Sequence, residues 1–410
     1  MIRVRALLLF LFVSRIKIYS YSLNTPKSCD KPPNGSYTDL SSGNFTFPNN
    51  IINPWNINEL IGKMTKEELP LLVDLHKNVF FDEEQNKVVI LDRRKLPDEI
   101  TYHECENYEE VAAAIEKMVT QSLGVSPAAG YGIVIAAHQI RGKDRSEKRK
   151  YISKAVERIK NTRPTQTSLH HLMDEMLKIA EEKIVDDGKL FEAMRKKAHN
   201  WTEKLMEISR KLGKHASEVI EDEDTILTHC YGGPAIYFMG DYAREQGKEI
   251  EYFCTETRPY LQGARLTTFA LSRGGFPTTL ITDGMSAYCM EKGLIDKFIT
   301  GADRISMDGG VANKIGTYQI ALAAREYDIP FYAHSYTGPD PDTPTYKDVE
   351  IEMRDPKEIT QIRGIRIAPE EIDAFYPAFD CTPPELVKGV VTEKGIYPPV
   401  EVSSYFEENS

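Results

Sequence analysis

The feature that most constrains the fold is an alternation of strand-like and helix-like segments from Thr225 to Ala333. Short apolar runs rich in β-branched residues are separated by longer segments of helical character. Strand, helix and strand at this spacing predict a parallel sheet with helices on both faces. Helices of about three turns are expected between the strands. The predicted strands are Thr225–Thr228, Ile250–Cys254, Thr278–Thr282, Lys297–Thr300 and Ile329–Ala333.

Chemically reactive side chains follow four of these predicted strands. Cys230, Glu256, Asp283 and Asp303 all lie within a few residues of a strand end. In parallel α/β sheets, ligands bind beyond the carboxyl ends of the strands. The pattern therefore predicts a small-molecule active site at one rim of the sheet.

The segment before the sheet has a different pattern. Strands are predicted at 88–91 and 99–102, and apolar residues then recur with helical spacing over most of residues 104–215. We therefore expect a smaller mixed β/helical domain at 70–215 and a Rossmann-like α/β domain at 216–400, with the active site in the cleft between them.

The two ends of the chain resemble neither domain. Residues 1–20 combine Arg3 and Arg5 with an apolar run at 6–13, which resembles a signal peptide but lacks a cleavage motif. Residues 21–69 are rich in Ser, Asn, Pro and Gly and are expected to form a loop-like extension, and residues 401–410 a tail. A cytoplasmic location is expected, with export as the open alternative.

Charge and cysteine content narrow the functional classes. The net charge of −11 argues against nucleic acid as a partner, and the apolar run at 6–13 is too short to span a membrane. The six cysteines show no CxxC spacing, so no metal site is predicted and reduced thiols are expected.

Several phrases, in order along the chain, resemble the family of methylthioribose-1-phosphate isomerases, in the superfamily of the regulatory subunits of translation initiation factor 2B. The resemblance extends from about residue 79 to residue 399. It rests on Lys-Leu-Pro-Asp-Glu (95–99), Arg-Pro-Thr (163–165), Thr-His-Cys (228–230), Glu-Thr-Arg-Pro-Tyr-Leu-Gln-Gly-Ala-Arg-Leu-Thr (256–267), Gly-Ala-Asp-Arg-Ile (301–305) and Ala-Asn-Lys-Ile-Gly-Thr-Tyr (312–318).

The resemblance implies an aldose–ketose isomerase that converts 5-methylthioribose 1-phosphate to 5-methylthioribulose 1-phosphate in methionine salvage. It implies a homodimer, no cofactor, and Cys230 and Asp303 as the catalytic pair. It also implies that the sugar phosphate is bound by Arg163, Gln262, Asn313 and Lys314. The non-catalytic initiation-factor relatives generally lack the cysteine and the aspartate, which favours the enzyme.

One departure from the family concerns the substrate. The family carries Arg-Gly-Ala-Pro-Ala-Ile-Gly where this chain has Leu-Gly-Val-Ser-Pro-Ala-Ala-Gly at 123–130, so an arginine that grips the substrate is missing. Another 5-substituted ribose 1-phosphate, such as 5-deoxyribose 1-phosphate or ribose 1,5-bisphosphate, therefore stays an alternative. A non-catalytic regulatory protein of the initiation-factor type is the alternative from another class.

The chemistry explains why these residue types are needed. Opening a ring whose anomeric oxygen carries phosphate requires a proton at the ring oxygen, which Asp303 can supply if burial raises its pKa. Cys230 would assist hydrogen transfer between carbons 2 and 1, with a pKa lowered by the helix expected at Pro234. Alternatively, Cys230 is a buried small hydrophobe, and Asp303 pairs structurally with Arg304.

The binding residues also have purely structural alternatives. Gln262 would then cap a helix, and Arg163 and Lys314 would be solvated charges. His229 precedes the thiol, but adjacent strand residues point to opposite faces of a sheet, so it is not predicted to be the base for Cys230.

Overall fold

The computed structural model describes residues 69–163 and 166–407. The predictions for residues 1–20, and for all but the last residue of the extension at 21–69, lie outside these ranges. Within the described ranges, no helix is long and apolar enough to cross a membrane.

The amino-terminal region combines a small antiparallel sheet with a layer of helices. Strands β1, β2 and β3 pair in chain order, and β3 begins at Tyr102 rather than at residue 99. The predicted helical stretch at 104–215 is confirmed by five helices after β3. The elements are α1 (Leu75–Asn78), β1 (Val79–Asp82), β2 (Lys87–Leu91), β3 (Tyr102–Cys105), α2 (Tyr108–Glu116), α3 (Val125–Gln139), α4 (Arg145–Lys160), α5 (Thr167–Lys183) and α6 (Asp187–Ser217).

A seven-stranded sheet forms the rest of the core, in the order β15-β14-β10-β7-β4-β5-β6. Every neighbouring pair is parallel except β14 and β15. The five strands predicted from the sequence are all present, the first with the predicted bounds and the other four with bounds that shift by one or two residues. The seven strands of the sheet are β4 (Thr225–Thr228), β5 (Glu251–Thr255), β6 (Thr278–Ile281), β7 (Lys297–Gly301), β10 (Phe331–His334), β14 (Gly389–Thr392) and β15 (Gly395–Tyr397).

Side-chain alternation along the strands builds a core on each face of this sheet. Ile226 and Ile299 pack with α6 and the following helices, whereas their neighbours Leu227 and Phe298 belong to a separate apolar cluster on the other face. Because successive strand residues point to opposite sides, both faces must be covered by helices. The α/β class with a parallel sheet is therefore confirmed.

The helices that connect the strands vary more in length than the sequence predicts. The first, after β4, has the expected three turns, but α8 and α9 have only six residues each. A stretch of π-helix at Gly263–Thr267 precedes α8 and takes up part of that connection. The helices are α7 (Pro234–Glu245), α8 (Thr268–Arg273), α9 (Ser286–Glu291), α10 (Thr317–Glu326) and α11 (Lys357–Thr360).

A second small sheet lies beyond the carboxyl end of β7. Its order is β13-β9-β8, and all its pairs are antiparallel. It carries Asn313 and Lys314 at the end of its central strand and begins directly after Asp303. The remaining strands are β8 (Arg304–Ile305), β9 (Val311–Lys314), β11 (Gln361–Ile362), β12 (Ile365–Arg366) and β13 (Phe379–Thr382).

Candidate active site

A cavity of about 1020 Å³ lies at the carboxyl ends of the parallel strands. Its wall includes residues from the helical region, from the sheet rim and from the small β8–β9–β13 sheet. All six residues singled out from the sequence line it, namely Arg163, Cys230, Gln262, Asp303, Asn313 and Lys314. The fold thus brings together side chains that are far apart in the chain.

The turns after β4 and β7 lie side by side in this cavity. Gly232 follows Cys230, and Gly301 ends β7. Their backbones approach so closely that a Cβ on Gly301 would lie 3.0 Å from the Cα of Gly232. Glycine at both positions therefore permits the Cys230 turn and the Asp303 turn to share one site.

Neighbouring side chains fix the backbone of Cys230. The residue has a φ of 65°, a left-handed conformation that is uncommon outside glycine. Its N–H donates to the hydroxyl of Thr257 at 2.9 Å, and its carbonyl accepts from the hydroxyl of Thr267. A strained conformation at a functional site persists only where such contacts define it.

A histidine and a tyrosine from the end of β10 hold the next part of the turn. His334 Nε2 lies 2.8 Å from the carbonyl oxygen of Gly232, and the Tyr336 hydroxyl donates to the same oxygen at 3.1 Å. That hydroxyl also accepts from the N–H of Ala235 at 2.9 Å, in the first turn of α7. The loop after β10 thus stabilises the turn that carries the thiol.

His229 does not act on the thiol. Its ring is buried, with Nδ1 2.6 Å from the hydroxyl of Thr255 and Nε2 2.9 Å from the carbonyl oxygen of Ile315. Both ring nitrogens are thus occupied away from Cys230. The alternation argument from the sequence agrees with this geometry.

The expected lowering of the Cys230 pKa is wrong. Burial raises the pKa of this thiol to about 11, and the ammonium of Lys314 opposes the rise only in part. Helix α7 does begin at Pro234 as predicted, yet the loss of hydration in the cavity outweighs the favourable N–H groups. The resting side chain is therefore a neutral thiol at physiological pH.

Asp303 is exposed to the cavity. Loss of hydration within the cavity raises the pKa of its carboxyl group, while the cations of Lys314 and Arg354 oppose the rise. Arg304 is not its partner, because the Arg304 Nε lies 3.3 Å from an oxygen of Asp340. The structural ion pair weighed from the sequence is therefore wrong, and the carboxyl group faces the cavity.

Lys314 and Asn313 are buried residues of β9. The ammonium of Lys314 donates to the carbonyl of Ala378 at 2.8 Å and lies 4.2 Å from the ring centre of Phe379. Burial lowers the pKa of this ammonium, and the nearby Cys230 and Asp303 oppose the change. Asn313 donates its amide to the hydroxyl of Thr317 at 3.0 Å. Lys314 is therefore not the solvated charge of the structural alternative.

Gln262 has an unused acceptor in the cavity wall. It is almost fully buried, and its Oε1 has no hydrogen-bond partner among the described residues. Its side chain does not cap the helical segment that follows it, so the structural role considered from the sequence is wrong. A buried polar atom without a partner is costly, and a substrate hydroxyl would satisfy it.

Arg163 reaches the cavity from the end of α4. Its guanidinium donates to the carbonyls of Thr162 at 3.1 Å and Ile115 at 2.8 Å. Burial lowers its pKa, with the charge of Arg354 acting in the same direction. The side chain is half-buried and anchored to its own wall, so it is not a solvated surface arginine.

Arg354 is a cavity residue that the sequence argument missed. It lines the same wall, and its Nε donates to Glu352 at 2.9 Å. The motif Arg-Asp-Pro at 354–356 falls outside the strand-and-helix pattern, so its position beside the rim of the sheet was not predicted. Arg163, Lys314 and Arg354 are three of the five Arg and Lys residues that line the cavity in the described ranges, and the other two are Lys204 and Arg304.

The position of the missing family arginine is next to an arginine from the turn that follows β2. Counting back from Pro127 places that arginine at Gly124, where a Cβ would lie only 2.2 Å from the hydroxyl of Thr120. The same Cβ would lie 3.0 Å from a guanidinium nitrogen of Arg93, which is fully buried and donates to the carbonyl of Gln121 at 2.7 Å. Gln121 lines the cavity, so Arg93 places a positive charge behind its wall.

Comparison with known proteins supports the same family. Residues 120–399 match the initiation factor 2 subunit family. A methylthioribose-1-phosphate isomerase from Thermosipho africanus is 39% identical over 79% of this chain and 96% of its own length. One from Acetivibrio thermocellus is 41% identical over 76% of this chain and 94% of its own length.

Two solved structures resemble this one over most of its length. The 5-methylthioribose 1-phosphate isomerase from Pyrococcus horikoshii OT3 has a TM-score of 0.76 at 33% identity, covering 84% of this chain and 100% of that one. A protein described as subunit delta of translation initiation factor eIF-2B from A. fulgidus has a TM-score of 0.71 at 37% identity, covering 79% of this chain and 97% of that one. The chain belongs to the initiation factor 2 subunit family and, within it, to the methylthioribose-1-phosphate isomerases.

Proposed function

We propose that this protein is an aldose–ketose isomerase that converts 5-methylthioribose 1-phosphate to 5-methylthioribulose 1-phosphate. The observation that carries the proposal is the shared cavity, in which Cys230 and Asp303 stand on adjacent turns beside cations. The isomerase relatives align over more than nine-tenths of their own length, which supports the same activity for this chain.

Asp303 is the proposed proton donor to the ring oxygen. Its raised pKa favours the protonated form that ring opening needs, and the cavity gives a sugar direct access to it. The carboxylate left behind is stabilised by Lys314, whose charge acts on the same group.

Cys230 is the proposed group for hydrogen transfer between carbons 2 and 1. Because its thiol is neutral at rest, removal of a proton from carbon 2 requires that it first lose its own proton, which Lys314 favours electrostatically. The overall reaction moves hydrogen within one molecule and has no net redox change. It therefore requires no external oxidant or reductant.

The phosphate is assigned to the cations that line the cavity. Lys314, Arg354 and Arg163 contribute from three elements, and the buried guanidinium of Arg93 adds to the positive field behind Gln121. Charge-assisted hydrogen bonds to phosphate are among the stronger polar contacts in proteins. Gln262 and Asn313 are assigned to sugar hydroxyls, Gln262 through its unused Oε1.

An apolar part of the wall suits the methylthio group. Leu123, Trp201, Leu205 and Ile208 line the cavity and pack with the core between the helical region and the sheet. An uncharged sulfur substituent gains from such contacts, which supports 5-methylthioribose 1-phosphate as the substrate.

A homodimer is proposed from the family and from an exposed apolar patch. β6 is an edge strand of the large sheet, and Leu280 on it is 52% exposed, with Met285 and Tyr288 exposed nearby. An uncovered edge with apolar side chains is typical of a contact surface. Light scattering of the native protein beside Tyr288→Lys would show a dimer that dissociates in the variant, whereas a wild-type monomer would contradict it.

A cytoplasmic location is proposed on the state of the thiols. Cys105, Cys230, Cys254, Cys289 and Cys381, the cysteines of the described ranges, are all free. Reduced thiols are the rule in the cytosol, whereas exported chains tend to pair them.

The test is a substrate comparison by NMR with the full-length protein. The sugars are 5-methylthioribose 1-phosphate, 5-deoxyribose 1-phosphate and ribose 1,5-bisphosphate. The double variant Cys230→Ala, Asp303→Asn serves as the inactive control. We expect the methylthio sugar to be converted with the highest kcat/KM and the bisphosphate with the lowest.

The alternatives predict different outcomes. Faster conversion of the deoxy sugar or the bisphosphate would show that the altered 123–130 segment has changed the substrate. Binding of all three sugars without conversion would overturn the enzyme assignment and favour a regulatory protein of the initiation-factor type, as the name of the A. fulgidus relative would suggest.

A further inference from the structure

Two histidines and a glutamate meet outside the cavity, where the region before β1 contacts the long helix α6. His76 belongs to the short helix α1, and His199 and Glu203 lie one helical turn apart on α6. One nitrogen or oxygen from each residue lies within 4.8 Å of the others. None of these residues lines the cavity, so the cluster is separate from the proposed active site.

The geometry of this cluster is close to that of a three-ligand metal site. His76 Nε2 lies 2.8 Å from Glu203 Oε1, and His199 Nε2 lies 3.7 Å from the same oxygen. In a tetrahedral zinc site with bonds of about 2.0–2.2 Å, ligand atoms are separated by roughly 3.3–3.5 Å. Small side-chain rotations would bring all three atoms to that spacing.

The lack of a hydrogen bond at His76 Nε2 also supports a metal site. Its Nε2 is shielded from solvent and makes no hydrogen bond among the described residues, although the Glu203 carboxylate is near. The Glu203 oxygen is close to His76 Nε2 but lies in a poor direction for a hydrogen bond. This arrangement is expected when both groups point towards a shared metal position rather than towards each other. The ring centres of His76 and His199 lie 5.1 Å apart, so the two imidazoles are close neighbours.

We propose that His76, His199 and Glu203 form a binding site for a divalent transition-metal ion, with Zn²⁺ as the preferred occupant. Two imidazoles and one carboxylate are a donor set that zinc uses, with water in the fourth position. The glutamate and His199 are partly exposed, so the ion has access from solvent. The ion would link α1, which leads directly into β1, to α6.

This site escaped the sequence argument for a physical reason. Zinc was judged from cysteine spacing, whereas these ligands are imidazoles and a carboxylate from two distant segments. His199 and Glu203 alone form an ordinary i,i+4 helix pair. Only the packing of α1 on α6 supplies the third ligand.

The test uses the full-length protein without an affinity tag, first treated with a chelator. Zn²⁺ is titrated by calorimetry, and Co²⁺ by its visible d–d absorption. We expect one saturable site per chain, a cobalt spectrum typical of nitrogen and oxygen ligands, and a higher Tm with zinc bound. His199→Ala and Glu203→Gln are each expected to weaken binding at least about tenfold, the usual order of effect for a lost ligand or its support.

The matched control is His215→Ala on the same helix. His215 pairs with Glu218 at 3.1 Å, and no third ligand joins them in the described ranges. This variant is expected to bind zinc like the wild type. Absence of saturable binding, unchanged binding in both ligand variants, or a sulfur-to-cobalt charge-transfer band would each overturn the proposal. Isomerase activity is measured alongside and is expected to be independent of zinc, so the two proposals fail separately.

Discussion

The turns that follow β4 and β7 stand at equivalent places in one sheet but are built differently. Four hydroxyl or imidazole groups hold the Cys230 turn, from Thr257, Thr267, His334 and Tyr336. The Asp303 turn is instead held by its continuation into β8, with the Asp303 N–H donating to the carbonyl of Ala312 at 3.0 Å. Side-chain hydrogen bonds therefore fix the turn that carries the Cys230 thiol, whereas backbone pairing between β8 and β9 positions the Asp303 carboxyl group.

The pKa values of Cys230 and Asp303 are shifted in the same direction, but the consequences for the two groups are opposite. Burial raises the pKa of both groups. For Cys230 the result is a neutral thiol at rest, and for Asp303 it is a carboxyl group better able to donate a proton. The desolvated cavity therefore favours the protonated form that a proton donor needs. The same cavity disfavours a thiolate, so formation of a thiolate depends on the neighbouring ammonium of Lys314.

The largest expected effect is the loss of either reactive group. Cys230→Ala and Asp303→Asn are each expected to lower kcat/KM by about 10²–10⁴-fold, the usual contribution of a positioned acid or base. Steady-state assays by NMR would measure this, with Cys289→Ala and Asp328→Asn as matched controls in the described structure. A loss of kcat/KM below fivefold in either variant would show that the residue takes no direct part in the reaction, and would contradict the comparison of the two turns.

Removal of the shared cation is expected to have the next largest effect. Lys314→Met should lower kcat/KM by about 10–100-fold, because hydrogen bonds to charged groups contribute about 1.5–3 kcal/mol. Lys314 lowers the pKa of both Cys230 and Asp303, so both values should rise in the variant. If Asp303 must be protonated, the fall of kcat/KM with rising pH should move to higher pH. If the fall of kcat/KM with rising pH stayed at the same pH in the variant, the role of Lys314 would be contradicted. Lys292→Met on the surface is the control.

A smaller effect on activity is expected when a side chain that holds the Cys230 turn is changed. Tyr336→Phe removes the hydroxyl that joins Gly232 to the first turn of α7. We expect kcat to fall about tenfold with little change in KM, since the thiol is displaced while the phosphate contacts remain. Tyr332→Phe, on the strand β10 that precedes Tyr336, is the control. A rise in KM with unchanged kcat would indicate substrate contact instead of positioning.

The smallest expected effect is on stability. The folded state raises the pKa of Asp303 above its ordinary value of 3.8, so the folded chain binds that proton more tightly than the unfolded chain. The group therefore favours folding below about pH 4 and loses that contribution as the pH rises through its folded pKa. Asp303→Asn should give a small rise in Tm at pH 7 that disappears near pH 4. A lower Tm at pH 7 would show that the carboxylate stabilises the fold.

Prediction from the sequence succeeded where a local pattern controls the structure. β-Branched runs at 225–228 and 297–300 became strands because period-two alternation buries both faces. The same runs placed Cys230 and Asp303 at one rim, since parallel strands end together. Prediction failed where burial has a competing effect, as at Cys230, whose pKa rises although a helix begins beside it.

Other features were invisible because their partners are distant in the chain. Arg93 beside Gly124, Arg354 beside the cavity and Tyr336 over Gly232 all depend on contacts between separate elements. Periodicity describes which face of an element is buried, but it does not say which element packs against that face.

The sequence by itself determined the parallel sheet and the rim at which Cys230 and Asp303 stand, because strand period and strand-end position are local properties. Only the tertiary structure decided how those residues are charged and held. The neutral thiol of Cys230, the raised pKa of Asp303 and the supporting cations depend on desolvation and on through-space charge. Those quantities are set by the whole packed environment rather than by neighbours along the chain.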